Sequence, residues 1–244
     1  MNSKKSTQLI QFGASVRGPL HQQENRPNED AWEKFYCGFG TGIIVSDGMG
    51  SKPNARQGSR MACRAVKQAL RPWSKAPGAS LKILLQLIHL HWDLLILPES
   101  EKDSVATCLF AVVVPSGELI VAQLGDGIAA LREPDGQVML LNSQQTGFGN
   151  QTTGLGIARS TQEWSAIGKP DFSAGSAVFL ATDGIADDLK PDSIGDFINV
   201  LITDFGQLSP QRRGQLLSRE LRNWPTPKHL DDKTLAVLWH PPKN

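Results

Sequence analysis

Cysteine is scarce in this sequence, and its three residues, Cys37, Cys63 and Cys108, are scattered and odd in number. Their spacing matches neither a disulfide framework nor a zinc site, so we assign them no role beyond packing in a reducing compartment. An excess of one sign of charge is also lacking, because 25 Lys and Arg against 24 Asp and Glu leave a net charge of +1. This balance gives no reason to expect binding to nucleic acid or to an anionic membrane.

Long hydrophobic runs are missing too. The most apolar segment, residues 81–97, is interrupted by Lys82, Asp93 and other polar residues, whereas a spanning helix needs about 20 mostly apolar residues. The N-terminal segment MNSKKSTQLIQFG has no long apolar core, so it does not have the pattern of a secretory signal. We therefore predict a cytoplasmic protein.

The composition is typical of a globular chain, with 40% hydrophobic and 20% charged residues among 244. No internal repeat or linker divides it. We predict a single domain over residues 1–244, with its core at about 8–240.

The hydrophobic periodicity predicts two pairs of helices separated by strands. Helical spacing covers residues 55–70, 80–95, 192–205 and 210–222, and Arg71-Pro72 is expected to end the first helix. Apolar runs predict strands at 8–15, 41–46, 107–114, 118–124, 128–132, 137–141, 177–181 and 234–239. Residues 142–161 predict a long loop. We expect an α+β fold, a four-layer αββα sandwich in which two mainly antiparallel sheets are flanked by helix pairs.

Acidic residues occur where the predicted strands start or stop. Asp47-Gly48 and Asp183-Gly184 each follow a buried apolar run, and Glu29-Asp30, Asp126 and Asp231-Asp232 lie at other strand ends. One such acid is ordinary turn chemistry. Five of them at sheet ends predict carboxylates gathered in one cleft.

Gathered carboxylates repel each other unless cations lie between them. The ligand atoms would all be oxygen, which suits hard ions such as Mg²⁺ or Mn²⁺. Two ions bridged by one Asp would lower the pKa of a shared water and present hydroxide to a phosphorus centre. The alternative interpretation of the same residues is a set of loop acids that face solvent.

Five short motifs together resemble a known family. They are Asn28-Glu29-Asp30-Ala31, Val45-Ser46-Asp47-Gly48-Met49-Gly50, Leu124-Gly125-Asp126, Leu180-Ala181-Thr182-Asp183-Gly184-Ile185 and Asp231-Asp232-Lys233-Thr234. Each motif alone is weak, but their order and approximate spacing, from about residue 11 to 239, resemble the protein phosphatase 2C (PPM) family. The loop at residues 149–153 resembles the compact bacterial branch of that family.

The resemblance implies an αββα sandwich that holds two Mn²⁺ or Mg²⁺ ions and hydrolyses phosphoserine or phosphothreonine with a metal-bridging water. By motif, Asp47 would bridge both ions, and the Gly48 carbonyl and Glu29, the latter mainly through water, would serve one of them. Asp183 and Asp231 would complete the other ion.

Further positions follow from the same resemblance. Asp30 would assist through hydrogen bonds or water, and Asp126, Asp183 and Asp187 match the site of a third, weaker ion in some members. The family's phosphate-binding Arg lies four residues before the Glu. That position is Asn25 here, so Arg26, or failing that Arg17, is the expected replacement.

The expected partner is a protein phosphorylated by a bacterial serine/threonine kinase, and the expected state is a monomer.

Two other functions fit the motifs. The first is a catalytically weak or inactive relative that binds phosphoproteins, which the displaced Arg suggests. The second is a phosphatase for a small phosphorylated metabolite. His21, in the segment before Glu29, is the one histidine that we would test as a general acid.

Overall fold

Two five-stranded sheets form the centre of the molecule. The structure is a computed structural model that describes residues 8–141, 153–225 and 230–242. Its strands are β1 (Ile10–Val16), β2 (Ala31–Cys37), β3 (Gly40–Ser46), β4 (Cys108–Val113), β5 (Leu119–Leu124), β6 (Ile128–Arg132), β7 (Val138–Leu141), β8 (Ser165–Lys169), β9 (Ala177–Ala181) and β10 (Lys233–Trp239). One sheet has the order β1-β10-β9-β6-β7 and the other β2-β3-β4-β5-β8, with antiparallel pairing throughout.

The described residues form six α-helices, and the four long ones cover the outer faces of the sheets. The six are α1 (Pro19–Gln23), α2 (Ala55–Trp73), α3 (Leu81–Ile96), α4 (Asp183–Ala186), α5 (Ile194–Phe205) and α6 (Pro210–Arg222). One core cluster joins α2 and α3 to the sheet that contains β3, a second joins α5 and α6 to the sheet that contains β10, and a third lies between the sheets. The predicted α+β sandwich of four layers is confirmed.

The central strands are buried on both faces, which explains their unbroken apolar sequences. Every residue of β9 and β10 is buried, because one face meets the opposite sheet and the other meets helices. Such strands lack the apolar–polar alternation of a half-exposed strand. Most predicted strands and helices match the observed ones to within about two residues, the usual uncertainty of element boundaries.

Several elements differ from the sequence prediction. The prediction that Arg71-Pro72 ends the helix is wrong, since α2 continues to Trp73. A proline so near the end removes only one backbone hydrogen bond, which costs little there. The prediction lacked strands β2 and β8 and the short helices α1 and α4. In the predicted long loop, residues 142–152 lie outside the described residues, and a turn of 3₁₀ helix, Thr161–Glu163, begins at its last residue.

Antiparallel pairing brings the predicted site residues to one end of the sandwich. Ala31 pairs with Ser46, so the start of β2 lies beside the end of β3. Leu235 pairs with Ala181, so the start of β10 lies beside the end of β9. The acids that precede β2 and β10 therefore lie near those that follow β3 and β9.

Among the described residues, none of the helices is both long and apolar enough to cross a membrane.

Two helical glycines provide a test of this packing. A Cβ added to Gly58 in α2 would lie 1.8 Å from the Ser104 carbonyl oxygen, whereas one added to Gly214 in α6 would meet nothing within 4 Å. We expect Gly58→Ala to lower the free energy of unfolding by about 1–3 kcal/mol through overpacking. The matched Gly214→Ala should raise it by about 0.5–1 kcal/mol through the better helix propensity of Ala. Urea unfolding measures both, and equal effects would contradict the described contact.

Candidate functional site

A cleft of about 250 Å³ opens at the end of the sandwich where these strand ends meet. Its walls come from both sheets and from α1. The lining residues are Leu20, His21, Arg26, Asp47, Gly48, Met49, Gly50, Val105, Ala106, Thr107, Asp126, Thr153, Asp183 and Asp231. The structure thus brings together acids that are up to 184 residues apart in sequence, as the count from 47 to 231 shows.

The main chain of Asp47 is held by two hydrogen bonds to Thr107. Its N–H donates to the Thr107 hydroxyl at 2.8 Å, and the Thr107 N–H donates to its carbonyl at 2.8 Å. The Ser46 hydroxyl donates to the Thr107 carbonyl at 2.5 Å. Because these hydrogen bonds join the end of β3 to the start of β4, Asp47 projects into the cleft from a restrained backbone.

Asp30 does not line the cleft but lies next to Asp47, and it is only 6% exposed. It accepts a hydrogen bond from the Thr182 hydroxyl at 2.9 Å. Its carboxyl group is also hydrogen-bonded to the side chains of Thr234 and Asp47. The two sheets are therefore joined through this one carboxyl group.

The pKa values of these acids show how closely they interact. Burial raises the pKa of Asp30 to about 7, with repulsion from Asp232 adding to the effect. Burial also raises the pKa of Asp47 well above its ordinary value, and the charges of Asp30, Asp183 and Asp231 raise it further. A divalent cation would relieve this repulsion, so the carboxylate oxygens fit the hard-ion ligand set that the sequence predicts.

Asp183 connects the central acids to the outer ones. Burial raises its pKa to about 6, and the charges of Asp231, Asp126 and Asp187 contribute. Asp126 is exposed on the tight turn after β5, where Gly125 and Gly127 have φ of +95° and +99°. The side chains predicted for a third ion are therefore near enough to interact electrostatically.

Arg26, the predicted phosphate ligand, contacts Glu29. Its Nη2 donates to the two Glu29 carboxylate oxygens at 2.9 and 3.0 Å and to the Gly50 carbonyl at 2.6 Å. The Arg26 side chain is 34% exposed, while that of Glu29 is 8% exposed. Arg17 is exposed and donates to the Arg26 carbonyl at 3.1 Å instead of lining the cleft.

Asp232 has a different place from its neighbour Asp231. It is 2% exposed and accepts hydrogen bonds from the Gly18 N–H at 2.7 Å and the Glu29 N–H at 2.6 Å. Its Oδ2 is also 2.9 Å from His21 Nδ1. With these three partners, Asp232 holds helix α1, which carries His21, and the loop that carries Glu29, a role that sequence reasoning missed.

His21 is buried beside this network. Its Nε2 is 3.9 Å from Glu29, and the ring lines the cleft. Among the described residues, His21, Asp231 and Asp232 form the only trio of potential metal ligands whose atoms all lie within 4.8 Å of one another. Because Asp232 already accepts three hydrogen bonds, its oxygens are poorly available to a cation. Asp47, Asp183 and Asp231 are more widely spaced, so a shared cation would draw them closer.

Thr107, Thr182 and Thr234 also went unrecognised as site residues. Two of them stand inside the motifs around Asp183 and Asp231, so the sequence did contain a signal. Hydroxyl groups beside sheet-end acids can donate to a carboxylate or accept from its backbone N–H. Which partner each one takes depends on the pairing between strands.

Comparison with known proteins identifies the family. The family model described as protein phosphatase 2C matches residues 17–224. The chain belongs to the protein phosphatase 2C family. A comparison with curated protein sequences produced no match.

Several solved structures share the fold. The photosystem II phosphatase PBCP is 16% identical, with a TM-score of 0.67 over 95% of this chain and 98% of that one. The PPM Ser-Thr phosphatase MsPP from Mycobacterium smegmatis, in complex with cacodylate, is 17% identical, with a TM-score of 0.62 over 94% and 97%. RsbX in complex with magnesium is 13% identical, with a TM-score of 0.59 over 94% and 95%. At these identities the likeness concerns the fold.

The two neighbouring acids should respond differently to substitution. Asp232→Ala leaves three donors without their buried acceptor, so we expect the free energy of unfolding to fall by about 3–5 kcal/mol. Asp231→Ala removes an exposed carboxylate, so we expect the free energy of unfolding to change by less than about 1 kcal/mol. The same variant should bind Mn²⁺ more weakly. Urea unfolding in chelator and calorimetric Mn²⁺ titration separate the effects. A larger loss of stability in Asp231→Ala would contradict this assignment.

The raised pKa values also predict how stability depends on pH. Asp30 and Asp183 bind protons more tightly when folded than when unfolded, where their pKa is about 4. The free energy of unfolding should therefore fall as pH rises from about 4 to about 7. In chelator, we expect a lower melting temperature at about pH 7.5 than at about pH 5.5, and a larger rise with Mn²⁺ at the higher pH.

Asp47→Asn is the control for this pH dependence, because it removes a titratable group whose own pKa is raised well above its ordinary value. The variant should show a smaller change of melting temperature across the same interval. A wild-type melting temperature that increases through the interval in chelator would contradict the repulsion described here.

Proposed function

We propose that this chain is a metal-dependent serine/threonine protein phosphatase that hydrolyses phosphoserine and phosphothreonine in proteins. Membership of the protein phosphatase 2C family supports the reaction class. The observation that carries the proposal is the hydrogen bond between the buried Asp30 carboxyl group and that of the half-buried Asp47, which lines the cleft together with Asp183 and Asp231. A merely structural role would not require four carboxyl groups that interact at one cleft.

Two Mn²⁺ or Mg²⁺ ions would be held by Asp47, the Gly48 carbonyl, Asp183 and Asp231, with Glu29 acting through water. Asp30 would assist, and Asp126, Asp183 and Asp187 would hold a third, weaker ion. When bound, such ions neutralise phosphate charge and activate water for attack on phosphorus.

The protein's own contribution is to fix the geometry of these groups. Thr107 restrains the Asp47 backbone through hydrogen bonds in both directions. Thr182 orients the Asp30 carboxyl group, which is positioned to exchange a proton with Asp47. Preorganisation of this kind reduces the reorganisation required as charge develops in the transition state.

Arg26 is our candidate for binding the phosphate oxygens. It lines the cleft and keeps part of its guanidinium exposed. To bind a phosphate with both η nitrogens, it would loosen its contacts to Gly50 and Glu24 while remaining near Glu29.

The same contacts favour the second candidate function, a catalytically weak or inactive relative that binds phosphoproteins. Arg26 is already engaged with Glu29 and Gly50, which would leave less of it available for a phosphate. For the active enzyme we propose a cytoplasmic monomer that acts on the products of a bacterial serine/threonine kinase.

One assay tests the proposal. Hydrolysis of an aryl phosphate and of a phosphothreonine peptide should require Mn²⁺ or Mg²⁺ and stop in chelator. Asp47→Asn should lower kcat by about 100-fold or more, because it removes a charge needed at the reacting centre. The matched control is Asp135→Asn on the exposed turn between β6 and β7, which should leave kcat unchanged.

Three outcomes separate the candidates. Hydrolysis that persists in chelator, or is unaffected by Asp47→Asn, would rule out the metal-dependent mechanism. Calorimetric Mn²⁺ binding without turnover would favour the phosphoprotein-binding relative. Turnover of a small phosphorylated metabolite much faster than the peptide would favour a metabolite phosphatase.

A further inference from the structure

A second concavity, of about 370 Å³, lies beside the cleft between α2 and the start of β2. We call it the arginine groove. Its lining residues are Ser15, Asn28, Asp30, Ala31, Trp32, Glu33, Arg56, Arg60, Cys63 and Arg64. The groove adjoins the cleft through Asp30, whose carboxyl group is hydrogen-bonded to that of Asp47.

Three arginines form one wall of the groove. Arg56, Arg60 and Arg64 are four residues apart on α2, so they lie on one face of the helix, and all three are exposed. Like charges at this spacing destabilise a helix by about 0.2–0.5 kcal/mol per pair. The row therefore has an unfavourable effect on the helix itself.

The described residues provide little to balance this charge. The sequence of α2 contains no Asp or Glu. In the described ranges, no carboxylate forms an ion pair with Arg56, Arg60 or Arg64, and Arg64 Nη1 lies 3.9 Å from the Met61 sulfur. Glu33, also in the groove, pairs with Lys67 at 2.7 Å, and Asp30 is engaged by Thr182.

The position of the row connects it to the proposed reaction. Arg56 directly follows Ala55, and a Cβ added to Gly48 in the cleft would lie 2.2 Å from the Ala55 carbonyl. The arginine row thus starts beside the cleft and runs away from it along α2. A chain that places a phosphorylated residue in the cleft could continue into the groove.

The spacing of the arginines matches an extended peptide. Successive arginines are separated by about 6 Å along the helix axis, four residues at about 1.5 Å each. Alternate residues of an extended chain are separated by about 6.6 Å and point the same way. Three acidic side chains at alternate positions could therefore each meet one guanidinium, which binds carboxylates well.

We propose that the arginine groove binds an acidic segment of the phosphoprotein substrate, with Asp or Glu at alternate positions beside the phosphorylated residue. This inference rests on the proposed phosphatase function and names its substrate class. The net charge of +1 for the whole chain favours an acidic peptide over a nucleic acid, which generally requires a more extended positive surface.

The test compares phosphothreonine peptides that have three alternating Glu residues on one side, on the other side, or replaced by Gln. With Mn²⁺, the wild type should show a kcat/KM about tenfold higher for one of the acidic peptides than for the Gln peptide. The triple variant R56Q/R60Q/R64Q should abolish this preference while hydrolysing an aryl phosphate at the wild-type rate.

The matched control variant removes the same charge elsewhere. R71Q/R212Q/R222Q changes three exposed arginines that do not line the groove, and the preference should persist. Binding is measured separately from turnover by fluorescence anisotropy of the labelled acidic phosphopeptide with D47N. R56Q/R60Q/R64Q in that background should weaken binding about tenfold.

The outcomes distinguish the two proposals. Two results would overturn the proposed role of the groove and leave the phosphatase proposal intact. One is hydrolysis of the aryl phosphate together with an equal kcat/KM for all peptides. The other is peptide binding, measured by anisotropy, that R56Q/R60Q/R64Q does not weaken. If the wild type hydrolyses neither the aryl phosphate nor any of the peptides, the phosphatase proposal is overturned. The anisotropy comparison between D47N and the same protein with R56Q/R60Q/R64Q would still decide whether the groove binds the acidic peptide. A single-stranded oligonucleotide that binds more tightly than the acidic peptide, and depends on the same arginines, would overturn the peptide assignment.

Discussion

The structure around the cleft has to offset the free-energy cost of placing several carboxyl groups close together, of which Asp30 is buried and Asp47 half-buried. Asp30 and Asp47 share a hydrogen bond, and the charges of Asp183 and Asp231 raise the pKa of Asp47. Such an arrangement persists only where the surrounding structure holds it, because each charge alone would favour separation and solvent. It also provides the environment in which a divalent cation is strongly favoured. The proposed chemistry follows from the same repulsion that makes the site unfavourable without a cation.

The sandwich supplies the rigidity that this repulsion requires. Strands β3, β9 and β10 are almost entirely buried, so their ends cannot move apart without disturbing three packed layers. Asp232 then ties the loop at Gly18, the ring of His21 and the backbone of Glu29 to the start of β10. The buried acid that accepts hydrogen bonds and the exposed acid that faces the cleft are adjacent in sequence. Asp232 stabilises the frame, whereas Asp231, whose Oδ1 accepts from the Asp232 N–H at 2.7 Å, keeps its other carboxylate oxygen for a ligand.

The cleft and the arginine groove have opposite charge although Asp30, which lines the groove, is hydrogen-bonded to Asp47 in the cleft. This contrast has a physical use, since a phosphorylated residue is drawn to cations while the acidic side chains beside it would be repelled by the carboxylates of the cleft. A row of arginines along α2 offers those side chains a separate place to bind. Electrostatic complementarity of this kind contributes more to selecting a partner than to raw affinity.

Much of this protein follows from its sequence alone. Apolar periodicity predicted both helix pairs and most strands, and the acids at strand ends predicted which residues would meet, because a buried run followed by Asp-Gly leaves the chain few alternatives. The pattern did not predict β2, β8 or the end of α2, where exposure or tertiary packing outweighs local preference. Only the tertiary structure showed that Asp232 is buried and Asp231 exposed, and that Arg26 donates hydrogen bonds to Glu29. It also showed that the three arginines of α2 lie beside the cleft. Those outcomes depend on which segments meet across the two sheets, and a carboxylate or guanidinium acquires its role from partners that are distant in sequence.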